Sequence, residues 1–466
     1  MMRKTLVILL TLAALCQMPQ SVFTQSLHSS SNKAIKTYND GVAYYDYFDF
    51  KKAETLFRIA ISHDPGFYEA YMMLGELYTK QNKADLAAEN YRKAISIDSL
   101  AYIPAFFSLA NAEMQTENYN SALKNFSSYL RHGGGSAKNN RIAKKNIENC
   151  KFAIEALKKP VPFNPVSIGP SVNTGDDEYW PSITADGRTL MFTRQSYTST
   201  DFLNRPNYQE DFYISYLSDT GWTSPVNAGA PLNTAQNEGA ATLSSSGNYM
   251  YFAACDRPGG YGSCDIYFSA NNNGKWSFPY NLGPPVNTSF WESTPSISAD
   301  GNMLFFSSNR PGGMGGKDLW YSVMNESGTW KEPVNMGDKI NTEGDEMSPF
   351  IHFDGRTLYF ASNGRPGMGG FDIYLTRMKD DSTWTDPQNL GYPVNTAGDE
   401  MGLVIEAGGR KAYFSSKRDN SSGKDIFWFT LDKSFRPNPV SYLKGRVTDR
   451  ETGKMLKAEC ELINLT

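Results

Sequence analysis

From Ala34 onward, small and aromatic residues recur along the chain with a period near 34. Gly41, Tyr44, Ala53, Phe57, Ala60 and Pro65 set the pattern. Tyr71, Leu74, Gly75, Tyr78, Ala87, Tyr91 and Ala94 repeat it 34 residues later, and Phe106, Leu109, Ala110, Ala122 and Phe126 do so after 35 more. Small residues let two helices approach closely, and aromatic ones fill the space between one helix pair and the next, so the pattern predicts stacked helix pairs. Gly133-Gly134-Gly135 interrupts it, and Ala137 to Leu157 reads as a closing helix. Past residue 160 the pattern changes to short apolar and aromatic runs between turn signals. Trp222, Trp276, Trp330 and Trp384 lie 54 residues apart. Each unit carries an Asn-Thr pair (Asn173-Thr174, Asn233-Thr234, Asn287-Thr288, Asn341-Thr342, Asn395-Thr396) and then a tight turn, such as Asp186-Gly187, Asp300-Gly301 or Asp354-Gly355. Strands such as Leu304-Phe305-Phe306 follow the turn, then a Gly-rich loop, a strand opening at Asp265, Asp318 or Asp372, and an outer strand near the Trp.

The first array has tetratricopeptide spacing, so residues 33–159 are expected to form an α-solenoid with a closing helix. The second reads as four-stranded antiparallel blades, so residues 163–440 are expected to form a β-propeller, in which closure leaves only short, protected edges. Counting turns gives five blades. Phe163-Asn164-Pro165-Val166 resembles the segment after each Trp but has no blade before it, so it is expected to supply the outer strand of the last blade and close the ring. Six blades, with Phe435 to Val440 contributing to another, is the alternative. The connector from Lys159 to Pro162 contains two prolines, which predicts that the closing helix packs on the propeller with Lys151, Lys158 or Lys159 near acidic loops.

At the N-terminus, Arg3 and Lys4 precede an apolar run from Leu6 to Cys16, too short to span a bilayer and fitting a signal peptide over residues 1–24. Two fates fit: simple cleavage near Thr24 or Gln25, or lipidation at Cys16, although Leu15 stands where a lipoprotein signal usually has a small residue. Either implies an exported chain and a compartment that permits disulfides. Of the 466 residues, 45 are Lys or Arg and 49 are Asp or Glu, which excludes a generally basic nucleic-acid binder. The charge is uneven. Residues 26–160 carry 18 basic and 14 acidic side chains, and residues 161–440 carry 20 and 31. The lysines around Lys138, Lys144 and Lys145 read as a solvated helix face or as an anchor for an acidic partner.

Candidate chemistry is sparse. A glutamate stands four residues after each Thr of the Asn-Thr pair: Glu178, Glu238, Glu292, Glu346 and Glu400, with Asp177, Asp345 and Asp399 beside three of them. Two readings fit. The carboxylates encircle one mouth of the propeller and bind a basic partner or a cation, or each accepts hydrogen bonds from neighbouring backbone as part of the architecture. Arg257-Pro258-Gly259-Gly260 and its relatives at Arg310 and Arg365 lack the helix and Lys-Ser/Thr of a phosphate loop and read as turns. Cys255 and Cys264 flank one such loop and are expected to form a local disulfide, whereas Cys150 and Cys460 are expected to be buried thiols. His28, His63, His132 and His352 occupy separate contexts without metal-ligand spacing, so no catalytic residue, metal or cofactor is expected. A glycan-active or glycan-binding propeller, using paired carboxylates, is the alternative.

The units Pro181-Ser182-Ile183-Thr184-Ala185-Asp186-Gly187 and Pro295-Ser296-Ile297-Ser298-Ala299-Asp300-Gly301 resemble the WD40-like PD40 repeat of TolB-type periplasmic propellers. Leu443-Lys444-Gly445-Arg446-Val447-Thr448-Asp449 with Thr452-Gly453 resembles the start of a carboxypeptidase regulatory-like β-sandwich, here residues 441–466. Leader, tetratricopeptide array, PD40 propeller and regulatory-like start, in this order, resemble the PorE-type OmpA-family subunits of the Bacteroidota type IX secretion system. The resemblance implies a non-enzymatic periplasmic scaffold that binds other secretion subunits. It also implies outer-membrane association and peptidoglycan binding through a C-terminal OmpA-like domain outside this sequence.

Overall fold

The computed structural model describes residues 27–201, 206–272, 274–417, 423–441, 447–454 and 456. The leader, its cleavage site, Cys16, Cys460 and most of the regulatory-like start lie outside the described residues. The chain divides into two compact units, Met1–Ile147 and Glu148–Thr466.

The first unit is built from helix hairpins: α1 (Asn32–Asp46) with α2 (Phe50–His63), α3 (Tyr68–Lys80) with α4 (Ala84–Ile97), and α5 (Pro104–Gln115) with α6 (Tyr119–Arg131); α7 (Ala137–Leu157) spans the division between the units. Ser31 and Asp49 cap α1 and α2 by accepting from Ala34 N and Lys52 N. Each hairpin turn places one residue in the left-handed region, Phe48, Asn82 and Glu117. The small-against-aromatic pairing has a direct geometric cause. A Cβ on Gly41 would come within 2.8 Å of the Phe57 ring, and one on Gly75 within 2.6 Å of the Tyr91 ring. Phe57, Tyr91, Phe126 and the alanines at 53, 60, 87, 94 and 122 are buried.

The second unit contains five small antiparallel sheets. Their inner strands are Asp177–Ile183, Glu238–Leu243, Glu292–Ile297, Glu346–Ile351 and Val404–Ile405. The last sheet is completed by Val166–Ser167, which pairs with Asp425–Thr430 in the register Val166↔Trp428 and Ser167↔Phe427. The N-terminal strand thus closes a five-bladed propeller. Phe435 to Val440 builds no sixth blade. Its first residue ends a short 3-10 turn, Lys433–Phe435; Phe435 is buried against blades 4 and 5, and Tyr359 donates its hydroxyl to Phe435 O at 2.6 Å. The outer strands pairing with the centre of each third strand begin at Val226, Tyr280, Val334 and Gln388, four residues past the corresponding Trp.

Both faces of each blade are buried, which explains why the middle strands read as continuous apolar runs. Phe305 packs toward blade 4 with Leu319, Leu358 and Phe360, while Leu304 and Phe306 pack toward blade 2 with Tyr251 and Ile266. Within the second unit, the end of α7 meets blade 4, where Asn149 Oδ1 accepts from Gly367 N at 3.2 Å and Cys150 and Ala153 are buried. For Lys151 and Lys158 the partners are not the expected acidic loops. Lys151 and Lys158 bond Glu148 and Glu155 on their own helix, at 2.7 and 2.6 Å, because an i,i+3 partner is within reach without ordering a second segment.

Candidate functional site

The five recurring glutamates stand at the entrance to the inner strands. Glu178, Glu238, Glu292 and Glu346 have no exposed surface and Glu400 is 7% exposed. Each accepts from its own Asn-Thr pair. For Glu292 the donors are Thr288 N at 2.8 Å and Thr288 Oγ1 at 2.7 Å, and the other four repeat both bonds. The preceding Asn faces the other way. Asn287 accepts from Ile266 N and donates to Ile266 O, both at 2.8 Å, so its amide mimics one residue of a strand paired with the preceding blade. Asn173, Asn233, Asn341 and Asn395 do the same with Ile426, Phe212, Leu319 and Ile373. The Asn-Thr-x3-Glu unit therefore fastens one blade to the next through Asn and fixes its own loop through Thr and Glu.

Charge is balanced locally. Arg194 Nε donates to Glu178 at 2.8 Å, Arg310 lies 3.2 Å from Glu292, and Arg257 lies 4.0 Å from Glu238. Burial nevertheless holds the carboxyls of Glu178, Glu238 and Glu346 above the usual carboxylate range, against the lowering effect of the Thr donors and the arginines. The neighbouring aspartates are engaged as well: Asp177, Asp345 and Asp399 accept from Lys424 N, Lys317 N and Phe371 N at 2.7–2.9 Å. An acidic mouth for a basic partner requires outward-facing carboxylates, and these are buried and bonded within the fold. The architectural alternative describes their contacts. The arginines were the part sequence reasoning missed. Arg257, Arg310 and Arg365 follow their glutamates by 19, 18 and 19 residues, a recurrence that could have paired them.

Two residues past each glutamate the backbone turns left-handed: Trp180, Ala240, Thr294, Ser348 and Gly402 have φ between 50° and 71°. Where the inner strand pairs with its neighbour in blades 1 to 4, the ladder slips at this point. These bulges surround the propeller axis and leave a cavity of about 50 Å³ lined by all five inner strands. Only glycine adopts this backbone without cost, and at Gly402 a Cβ would also lie 2.9 Å from the Trp180 ring. Around the axis, Ser182 Oγ accepts from Leu243 N at 2.9 Å, Thr242 Oγ1 from Ile297 N at 3.4 Å and Ser296 Oγ from Ile351 N at 3.0 Å, linking blades 1 to 4. Phe350 and Val404 occupy the corresponding positions in blades 4 and 5, so that sector is apolar. A cavity of this size is well below the ~300 Å³ that a small-molecule pocket needs.

At the opposite ends of the inner strands, Asp354 is held in the blade 4 turn. It accepts from Arg356 N and Thr357 N at 2.9 Å, Thr357 Oγ1 at 2.8 Å and Asn438 N at 3.0 Å. Burial alone would raise its pKa, but the His352 ring and the Arg356 and Thr357 donors outweigh it and hold the carboxyl well below the usual range. His352 Nε2 donates to Glu406 O of blade 5 at 3.1 Å. A depressed carboxyl stabilises the fold above its ordinary pKa of 3.8 and loses that contribution as pH falls further. Asp354→Asn should therefore be less stable than the parent at neutral pH, with the difference shrinking below about pH 4; urea midpoints across a pH series measure it. The raised glutamates act oppositely: their protonated forms favour the fold at low pH, and this benefit fades as pH rises through their elevated pKa values.

The described residues contain no group of three or more His, Cys, Asp or Glu side chains placed to hold a metal. His28 bonds Glu69 at 2.8 Å, His63 ends α2, and His132 stacks on Phe106. Cys255 and Cys264 are joined as a disulfide across facing strands of blade 2. No described helix is long and apolar enough to cross a membrane.

Residues 68–99 match the tetratricopeptide repeat family model. A comparison with curated protein sequences returns no match. Among solved structures, the chain is similar to the tetratricopeptide domain of Sgt2 from Aspergillus fumigatus, with 22% identity over 29% of this chain and 89% of that one and a TM-score of 0.24. It is also similar to the N-terminal domain of stress-induced protein-1 from C. elegans, with 22% identity over 24% and 93% and a TM-score of 0.23. A third is the Yersinia enterocolitica type III secretion chaperone SycD, solved with a peptide of the translocator YopD, with 17% identity over 28% and 97% and a TM-score of 0.24. These likenesses concern the fold of the helical repeats alone. The family match at residues 68–99 and the five sheets of the second unit give tetratricopeptide repeats and a five-bladed propeller, a combination that suggests a protein-interaction scaffold.

Proposed function

We propose that this chain is a non-enzymatic periplasmic scaffold that joins subunits of an outer-membrane protein secretion machine of the type IX kind. The observation that carries the scaffold reading is the engagement of the ring residues: the signature carboxylates are buried, bonded and, in three blades, close to arginines, and the cavity at the propeller axis is only about 50 Å³. What remains for function is surface, on the helical repeats and on the propeller. The PorE-type, PD40 and OmpA-family assignment, the outer-membrane location and a link to peptidoglycan rest on the order of segments and on the repeat motifs in the sequence. Cell-envelope fractionation is the test of location. The chain should sediment with outer membrane and peptidoglycan, and a cytosolic pool in intact cells would contradict the assignment. The glycan-active alternative predicts turnover of a chromogenic glycoside that disappears in Glu292→Gln. The scaffold reading predicts no turnover by either protein.

A further inference from the structure

Four of the five blade junctions share one side-chain grip. The residue just before a third-strand aspartate (Asp211, Asp318, Asp372 or Asp425) donates its backbone N–H to a side chain of the next blade. Glu210 N bonds Asn237 Oδ1 at 3.1 Å, Lys317 N bonds Asp345 at 2.8 Å, Phe371 N bonds Asp399 at 2.9 Å and Lys424 N bonds Asp177 at 2.7 Å. The accepting residue always directly precedes the ring glutamate. Between blades 2 and 3 that position is Trp291, whose indole N–H can donate but not accept. The residue it should grip is Cys264, just before Asp265, and this residue alone of the five is covalently held, by Cys255 directly opposite.

Backbone contacts remain at this junction. Cys264 forms a parallel bridge with Trp291, and Ser263 N donates to Phe290 O at 3.1 Å. Trp291 has other contacts: its backbone N–H donates to Asn309 Oδ1 at 2.9 Å, and the Lys317 ammonium sits over its ring at 5.0 Å. Tyr261 within the disulfide loop and Phe290 beside Trp291 expose 54% and 40% of their surface at this seam.

We propose that the Cys255–Cys264 disulfide, lying within blade 2, compensates for the missing side-chain acceptor by fixing the strand end that meets blade 3, and so makes the blade 2–blade 3 junction a redox-responsive joint in the ring. A dithiol reductant breaks the S–S bond and supplies two electrons. Each cysteine sulfur ends with one proton, and the reductant leaves as its own disulfide. The strand end at Cys264, which meets blade 3 through backbone contacts alone, then loses its tie to Cys255 within blade 2, the loop of residues 256–263 loosens, and the surface carrying Tyr261 and Phe290 loses its order. The other four junctions, gripped by Asn or Asp, do not respond.

Hydrogen exchange on the full chain, oxidised and after dithiol treatment with both thiols confirmed by alkylation, tests this. Reduction should accelerate exchange about tenfold or more in residues 256–264 and 290–292 and leave segments containing Glu210, Lys317, Phe371 and Lys424 unchanged, as a local opening does. Cys255→Ser with Cys264→Ser should mimic the reduced state and ignore the dithiol. Adding Trp291→Asn to that pair should restore protection, whereas Trp291→Ala should not. Unchanged exchange after confirmed reduction, equal acceleration at all five junctions, or no difference between the Asn and Ala variants would each overturn the proposal. The reduction arm needs no variant to fold.

Discussion

Arg310→Ala should destabilise the propeller by about 3–5 kcal/mol, the cost of leaving a buried carboxylate without its ion-pair partner. Arg310 is 8% exposed and lies 3.2 Å from Glu292, which has no exposed surface. Its Nε donates to Ser308 Oγ at 3.1 Å, its other nitrogens reach Pro285 O and Val286 O, and its plane lies 5.0 Å from the centre of the Phe306 ring. One substitution thus removes the counter-charge, the donors to two backbone carbonyls and a ring contact. The denaturation midpoint of the single variant, compared with Arg310→Ala/Glu292→Gln, separates these causes. The double variant should regain part of the loss, because removing the charge removes the need for its partner. A single variant within about 1 kcal/mol of the parent, the range of exposed ion pairs, would show that Glu292 is solvated and that the ring is not internally neutralised.

The second large effect concerns closure. Phe163 lies 4.8 Å from Phe429 and 5.8 Å from Phe414, ring centre to ring centre, beside the strand Val166–Ser167 that completes blade 5. Phe163→Ala should cost about 2–3 kcal/mol, below the 3–5 typical of a fully buried ring because Phe163 is half-buried. The exposed neighbour Asn164→Ala should stay within about 0.5 kcal/mol. Limited proteolysis should find the first new cuts in blade 5 and in the segment before it. Cuts that first appear in blade 2 or 3 would mean that the N-terminal strand does not close the ring.

The fold was legible because both arrays repeat. Glycine against aromatic at Gly41 and Gly75, and tryptophan every 54 residues, are periodic consequences of packing one unit on an identical neighbour. Even the borrowed strand showed itself, as a post-Trp segment at Phe163 without a blade in front of it. The roles of the ring residues were harder to read, because spacing reports position along the chain but not the direction of a side chain. Five glutamates in register look alike whether they converge on solvent or turn back to a threonine. Burial decides, and it comes with partners that spacing does not name: the threonine of the same loop and, for Glu178, Glu238 and Glu292, an arginine of the same blade. Asp177, Asp345 and Asp399 looked like added negative charge, yet each satisfies a backbone N–H of the preceding blade. The left-handed residues at the axis left no periodic signature: Trp180, Ala240, Thr294, Ser348 and Gly402 share a backbone angle and no chemistry.

The central claim is that this chain works by holding other proteins, with its recurring carboxylates committed to its own fold. In-cell cross-linking followed by purification of the full chain, beside a chain that lacks residues 33–131 and keeps α7 on blade 4, tests it most directly. The account predicts a defined set of envelope proteins with the full chain and the loss of part of that set without the helical repeats, while the propeller remains folded. Recovery of the full chain alone, with no cross-linked protein partner, would contradict it.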